Sequence, residues 1–392
     1  MLARRQPGST LKPFVYALAF EERLVTPATL LDDSPAQIAT AAGLYLPQNY
    51  DRNFRGWVSV RTALGSSLNV PAVRMAAMLG PDALFGRLND FGLALPESGG
   101  YYGHALALGG ADVTLLALTN AYRTLANGGL LSPPVLRSDA DRGPVRRVAD
   151  AAAVHLVTDI LADNSARAGT FGLSSALATR GFAAVKTGTS KDLRDNWCVG
   201  FTDRYTVGVW VGNASGEPMH DVSGVSGAAP VWRTLVQHLH AQQWSRPPAM
   251  PRGVIATTVA FEGAREPART EVFIAGTEQV LHRASAQLST ARRFGIASPR
   301  DGSVFALDPD IPPASQRITF EGERGTWMLD GRRLGQGSSV AWPPWPGQHE
   351  LTLLGRDGRP LQTVRFEVRG AALHHSLSSN QMLGQGRSGF QP

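Results

Sequence analysis

The segment Arg246-Pro247-Pro248-Ala249-Met250-Pro251 constrains this chain more than any other six residues in it. Each proline fixes φ at about −65° and withholds an N–H, so the run suits neither a helix nor a sheet interior. It reads as a stiff, extended connection. Residues 244–253 are therefore expected to link two folded parts, and 392 residues is a length that suits two domains of roughly 100–200 residues each. The hydrophobic period changes across the linker, which supports the same division.

Upstream, Leu11, Phe14, Val15 and Leu18 recur at helical spacing directly after the Gly8-Ser9 turn, and Pro13 falls in the first turn, where its missing N–H costs least. Residues 71–79, 113–125 and 151–162 predict three further helices, the second stopping at Asn127-Gly128-Gly129. The period then shortens. Residues 182–186, 197–201 and 205–211 are β-rich, and Thr202-Asp203-Arg204 turns the last two into an antiparallel hairpin. Residues 231–240 close this part with a helix. Helices, then strands, then a helix predict an α+β domain over residues 1–243, with helices on an antiparallel sheet.

Downstream, residues 254–261, 270–274, 317–321, 349–354 and 361–368 alternate or run β-branched. Asp301-Gly302, Asp330-Gly331 and Asp357-Gly358 supply turns, and Trp342-Pro343-Pro344-Trp345-Pro346-Gly347 breaks the chain again. A β-rich domain over residues 254–370 is expected, with a small sandwich-like fold in its second part. Residues 371–392 show no period and are expected to form a disordered tail.

Charge and composition exclude several functions. The net charge of +6 comes from scattered arginines, and no basic run is interleaved with aromatics, so nucleic acid is not an expected partner. The single cysteine, Cys198, rules out a disulfide framework and a thiolate-rich metal site. No His, Asp and Glu residues fall at metal-ligand spacing, and His374-His375 lies in the tail, so neither metal nor cofactor is expected. No apolar run reaches the roughly 18 residues needed to cross a membrane, and the first fourteen residues lack the apolar stretch of a signal peptide.

Three short motifs carry the chemistry. Ser9-Thr10-Leu11-Lys12 is S-x-x-K at a helix start, Ser67-Leu68-Asn69 is S-x-N on the approach to the next helix, and Lys186-Thr187-Gly188-Thr189 is K-T-G-T at the end of a strand. A serine hydroxyl is protonated at neutral pH and needs an adjacent base to attack a carbonyl. Ser9 and Lys12, three residues apart on a helix, share a face. Burial and a second cation, which Lys186 would supply, would lower the Lys12 pKa enough for its amine to accept that proton. Ser67 suits proton relay to a leaving amine, and Asn69 suits hydrogen bonds to Lys12 and a substrate amide. The backbone N–H groups of Ser9 and Thr189 are the expected oxyanion donors. Gly188 would leave room for an acyl chain along the strand, and Thr187 and Thr189 would bind a terminal carboxylate.

In this order the motifs resemble the transpeptidase domain of the class A penicillin-binding proteins, and within them the 1C type. The likeness extends to Pro7–Phe14, to Ser67–Val73, to Gly-His-Ala-Leu-Ala-Leu-Gly-Gly at 103–110, to the segment from Asn120-Ala121-Tyr122 to Asn127-Gly128-Gly129, and to residues 204–212. The β-rich region beyond the linker resembles the small domain that ends the 1C type. The resemblance implies a β-lactamase-like serine acyltransferase fold. It implies that Ser9 attacks the penultimate D-Ala of a peptidoglycan stem peptide, expels the terminal D-Ala and passes the acyl group to a neighbouring amine. β-Lactams would be covalent inhibitors, the location periplasmic, and cell-wall synthesis proteins partners of the C-terminal domain. Whole members carry a membrane anchor and a glycosyltransferase domain ahead of this region, and a helix and two strands ahead of the nucleophile. With eight residues before Ser9, the chain is expected to be an N-terminally truncated piece of such a protein, with an unpaired sheet edge.

Blander readings cover several other residues. Cys198 reads as a buried, inert thiol, Trp342 and Trp345 as packing residues rather than a carbohydrate surface, and Asp195-Asn196 as turn formers. Glu97, in a Pro-Glu-Ser-Gly-Gly turn, is the one acid that could tempt a deacylation-base assignment, and the turn reading is preferred. A β-lactamase would need such a base. A non-catalytic scaffold that binds partners through its C-terminal domain stays open beside the transpeptidase.

Overall fold

The computed structural model describes residues 3–36, 38–40, 43–45, 47–137, 139–141, 143–284, 295–299, 301–306, 317–355 and 357–369. The tail expected at 371–392 lies outside the described residues. The chain forms two compact units, Met1–Phe294 and Gly295–Pro392.

In the first unit a 3-10 turn, Gly8–Leu11, runs directly into α1 (Lys12–Glu21). Lys12 to Phe20 of α1 are all buried, so this helix is apolar around its whole circumference and forms the centre of the unit. An antiparallel strand pair, β1 (Leu30–Asp33) and β2 (Gly56–Ser59), leads into α2 (Val60–Gly65) and α3 (Asn69–Leu79). Then follow α4 (Pro81–Asp90), α5 (Leu115–Ala126), α6 (Ala151–Ala162) and α7 (Asn164–Phe171). Helices α3, α4 and α6 pack against α1. Side-chain caps set several starts: Ser59, Thr114, Asp150 and Asp163 each accept backbone N–H groups at the first turn of α2, α5, α6 and α7.

Three strands, β3 (Ala184–Thr189), β4 (Asp195–Phe201) and β5 (Thr206–Gly212), form an antiparallel sheet in the order β5-β4-β3. All seven residues of the central β4 are buried, and its alternation decides what each face meets. Trp197, Val199 and Phe201 join the core around α1, α5 and α6. Cys198, with Val185 and Val209, packs against Trp232 and Val236 of α8 (Ala229–Leu239). The sheet thus lies between the helical cluster and α8, the α+β arrangement that the sequence pattern predicts.

The strands that follow the Pro-rich segment depart from the expected grouping. The antiparallel pair β6 (Val254–Phe261) and β7 (Arg269–Ile274) belongs to the first unit, not to the C-terminal one. Two contacts explain this. Val254 is part of the α1 core, and Val272 and Ile274 pack on it. Glu271, fully buried on β7, accepts from Arg61 of α2 at 2.9 and 2.5 Å, and Arg61 also reaches Asp163 at 3.0 Å and Asp159. A buried carboxylate needs such a partner.

The second unit contains β8 (Ile296–Ser298), β9 (Ser303–Ala306), β10 (Ile318–Leu329), β11 (Arg332–Trp342), β12 (Gly347–Leu354) and β13 (Pro360–Arg369). Asp330 and Gly331, with φ of 49° and 76°, make the hairpin turn between β10 and β11 that an Asp-Gly pair favours. Strand β10 pairs with β11 along one edge, and with β8 and then β12 along the other. Strand β13 joins β12 antiparallel and β9 parallel. Phe320, Trp342 and Phe366, from three strands, meet with ring centroids 5.7–5.9 Å apart and form an aromatic cluster on this β-rich unit, whose strands belong to one sheet. Trp342 is buried within this cluster, and Trp345 packs edge-on against it with half its surface exposed.

Removing Arg61 strands the Glu271 carboxylate in the core. Arg61→Ala is expected to lower the urea-unfolding free energy of the first unit by about 3–5 kcal/mol, the usual cost of breaking a buried ion pair. A loss below about 1 kcal/mol would show that β7 is not held by this charge.

Candidate active site

Two parts of the chain approach each other here without intervening side chains. Gly8 has φ of +56°, and a Cβ there would strike the carbonyl of Thr189. A Cβ on Gly188 would strike the Pro7 carbonyl and Thr10. The 3-10 turn bearing Ser9 therefore lies against the K-T-G-T strand, and glycine on both sides permits the approach. The space that a Cβ on Gly188 would take is filled by this turn. Other bonds pin the turn: Thr10 donates its hydroxyl to Pro7 O at 2.8 Å, Tyr122 donates to Thr10 O at 2.8 Å, and Trp197 donates its indole N–H to Gln6 O at 2.8 Å. Ser9 is half-buried, and its carbonyl accepts the backbone N–H of Lys12.

Lys12 starts α1 with no exposed surface. Its Nζ donates to Ser67 O at 2.7 Å and Asn69 Oδ1 at 2.6 Å, and stands 3.5 Å from Ser67 Oγ. Lys186 Nζ comes from β3 and donates to the same Ser67 Oγ at 2.7 Å and to Thr187 O at 3.0 Å. Ser67 sits between α2 and α3 with φ of +59°, a region where a residue with a side chain is strained. Backbone bonds on either side hold it: Ser67 N–H reaches Leu64 O and Leu68 N–H reaches Ala63 O. S-x-x-K, S-x-N and K-T-G, far apart in sequence, therefore meet at one hydroxyl and one carbonyl.

The electrostatics follow from burial. Loss of water, and then the charge of Lys186, hold the Lys12 amine well below the ordinary lysine range, while Asp33 pulls it the other way. Burial and the Arg167 guanidinium push Lys186 down to about 7. A neutral Lys12 amine has two N–H donors for Ser67 O and Asn69 Oδ1 and keeps a lone pair to receive a proton. Among the remaining expected residues, Thr187 is buried on β3, and Thr189 Oγ accepts the Gly224 N–H at 3.0 Å, leaving its own proton to donate.

The other sequence readings resolve plainly. Cys198 is buried, and burial pushes its thiol up, as an inert thiol requires. Asp195 and Asn196 are strand residues of β4 rather than turn formers: Asp195 accepts from Ser190 Oγ at 3.0 Å and from Trp210 Nε1 at 3.0 Å. Glu97 is exposed. Arg167, Asn49 and Asp33 were not picked out from the sequence. Arg167 stands in a short Ala- and Gly-rich helix, and Asn49 within Pro-Gln-Asn-Tyr-Asp reads as a turn, so neither carries a local signal of proximity to the lysines. Among the described residues no His, Cys, Asp and Glu group is arranged to hold a metal ion.

Comparisons with known proteins agree with this arrangement. The sequence model of the family described as "Penicillin binding protein transpeptidase domain" matches residues 2–235, well over half the chain, and that of the "Penicillin-Binding Protein C-terminus Family" matches residues 283–366. Penicillin-binding protein 1C of Escherichia coli K12 is 35% identical over 257 residues, covering 64% of this chain and 32% of that protein. Penicillin-binding protein 1B of Vibrio cholerae is 32% identical over 272 residues, covering 66% of this chain and 34% of that protein. The chain thus spans about a third of the length of these curated relatives. Among solved structures, penicillin-binding protein 1A of Haemophilus influenzae superposes with a TM-score of 0.61 at 24% identity, over 70% of this chain and 48% of that one. The PonA1 protein of Mycobacterium tuberculosis in complex with penicillin V gives 0.52 at 23% identity, over 64% of this chain and 72% of that one. At these identities the structural likeness establishes the fold.

The depressed Lys186 amine links stability to pH. Unfolded, it would titrate near ~10.4, so between pH 7 and that value the unfolded chain holds the extra proton, and stability rises with pH and is lost as pH falls toward 7. Lys186→Met is expected to reduce the slope of unfolding free energy between about pH 7.5 and 8.5 by up to one proton, ~1.4 kcal/mol per pH unit. An unchanged slope would contradict the burial argument.

Proposed function

The chain belongs to the penicillin-binding protein transpeptidase family, and from that premise we propose that it is a serine D,D-transpeptidase of peptidoglycan cross-linking, acting in the periplasm through an acyl-serine intermediate. The observation that carries this reading is the convergence of two buried lysine amines on Ser67, one of them from Lys12, which follows Ser9 by three residues.

In this reading Ser9 Oγ attacks the carbonyl of the penultimate D-Ala, and its proton passes to the neutral Lys12 amine. The backbone N–H groups of Ser9 and Thr189 hold the oxyanion in this reading, which the close packing of the Ser9 turn on β3 supports. Collapse of the tetrahedral intermediate breaks the amide bond. The leaving D-Ala nitrogen takes a proton from Ser67, whose oxygen already accepts from Lys186 and whose own hydrogen is free to be given. Lys12, 3.5 Å away, restores that proton. An acceptor amine on a second stem peptide then runs the sequence in reverse on the acyl-serine. Strand β3 is an edge of its three-stranded sheet among the described residues, which suits a peptide lying alongside it. Thr187 and Thr189 receive the terminal carboxylate, helped by the charge of Lys186. The imipenem acyl-enzyme complex solved for penicillin-binding protein A of Mycobacterium tuberculosis, TM-score 0.50 at 23% identity over 60% of this chain, supports the expectation that β-lactams acylate Ser9. Cell-wall synthesis proteins are the proposed partners of the second unit.

The test is covalent labelling. The purified chain, mixed with a fluorescent penicillin and denatured, is expected to carry the label at one-to-one stoichiometry, and Ser9→Ala to carry none. A folded wild type left unlabelled by several β-lactams and by a D-Ala-D-Ala thioester would defeat the transpeptidase reading. Rapid release of hydrolysed penicillin would point to a β-lactamase instead.

A further inference from the structure

The Asn69 side chain is aimed at Lys12 by a segment that none of the three motifs contains. Helix α3 begins at Asn69, and the residue before it, Leu68, has no side-chain oxygen with which to cap the first turn. Asn49 supplies one from a distance: its Oδ1 accepts the backbone N–H of Asn69 at 2.8 Å and stands 3.4 Å from that of Val70. The adjacent Gln48 carbonyl accepts Asn69 Nδ2 at 2.8 Å. With its nitrogen committed to Gln48, Asn69 can present only its oxygen to Lys12, at 2.6 Å.

The orientation of Asn49 is equally determined. Its Nδ2 donates to both carboxylate oxygens of Asp33, at 2.8 and 2.9 Å, and to Asn53 O at 2.9 Å. One end of this amide therefore meets only acceptors and the other only donors, so a flip would set oxygen against oxygen and N–H against N–H. Asp33 is fully buried at the end of β1 and also accepts the Arg55 backbone N–H at 2.9 Å. Contacts thus run from a buried carboxylate through the Asn49 amide to the backbone N–H of Asn69, whose own side-chain amide, fixed by the neighbouring Gln48 carbonyl, reaches the lysine amine.

We propose that Asn49, anchored on Asp33, is the positioning residue that orients the Asn69 amide toward Lys12 and so holds that amine in place for Ser9. The inference rests on the transpeptidase reading for its kinetic consequence, but not for its structural one. The charged groups around these contacts are few. Lys12 faces Lys186 from β3 and Asp33 from β1, and Asp33 faces Tyr16 of α1, Asp32 and Arg55. Asp33 is thus the negative charge acting on Lys12 against the positive Lys186.

The chain has only three lysines, Lys12, Lys186 and Lys191, so 13Cε-lysine NMR reads their titrations individually in the 392-residue chain. Asn49→Ala is expected to slow acylation by fluorescent penicillin about 10- to 100-fold, the scale on which misplaced catalytic groups act. Asp33→Asn, close in shape, is expected to move the Lys12 titration down through loss of the opposing charge. Asp150→Ala removes the side-chain cap of α6, a comparable structural loss outside this chain of contacts, and is expected to leave both quantities unchanged. Asn49→Ala acylating within twofold of wild type, or a Lys12 titration unmoved in Asp33→Asn, would overturn the proposal. If Asn49→Ala does not fold, Asn49→Gln, which keeps an amide but displaces it, carries the test through the same two readouts. Should wild type take no label, the transpeptidase reading falls, and a Lys12 titration displaced or left unmoved in the Asn49 variant still decides the positioning role.

Discussion

Two buried lysine amines share one serine, and the rest of the first unit is arranged around that fact. Burial strips both amines of hydration, the Lys186 charge bears on Lys12 and the Arg167 charge on Lys186, so both proton affinities fall. The same burial that would be a liability for a charged lysine makes a neutral one useful. Its two short hydrogen bonds go to oxygens that can only accept, Ser67 O and Asn69 Oδ1. The Arg167 guanidinium of α7 presses Lys186 in the same direction.

Such an arrangement works only if it does not move, and the surrounding structure removes freedom at each member. Ser67 occupies a strained backbone position that α2 and α3 hold from both sides. Helix α2 is tied at its start through Arg61 to Glu271, Asp159 and Asp163, and just beyond its end through the Ser66 hydroxyl to the Ala166 carbonyl of α7 at 2.8 Å. The Ser9 turn meets β3 backbone to backbone, because Gly8 and Gly188 leave nothing between them. Helix α1 and strand β3 thus present Lys12 and Lys186, and Ser67 stands in a short connection that hydrogen bonds to α2 hold on either side. The strands β6 and β7, which follow the Pro-rich segment, belong to this scaffold through Glu271 and Val254.

Local pattern was enough for much of this. Helix α6 was readable to the residue from its apolar spacing, and the β4–β5 hairpin from two β-rich runs around Thr202-Asp203-Arg204. Helices α4 and α7 and strands β1 and β2 were not. Helix α4 buries only Leu84 and Leu88, α7 only Ala166 and Arg167, and each strand has four residues, too few for a period to stand out. The grouping of β6 and β7 was misread because a linker composition marks where the backbone is stiff, not where packing ends. The charge that ties β7 to α2 is a pair 210 residues apart.

What the sequence determined by itself was the chemical inventory: Ser9 three residues ahead of Lys12 on one helical face, Ser67 and Asn69 before a helix, and Lys186 to Thr189 at the end of a strand. Those spacings are short-range, and helix and strand geometry converts them directly into shared faces. Only the tertiary structure decided that both amines converge on Ser67, that Asn69 faces Lys12 with its oxygen, and that Asn49, Asp33 and Arg167 stand behind them. Each of these depends on burial and on contacts between distant segments. Burial decides which proton affinities move, and it arises only when the whole chain has packed.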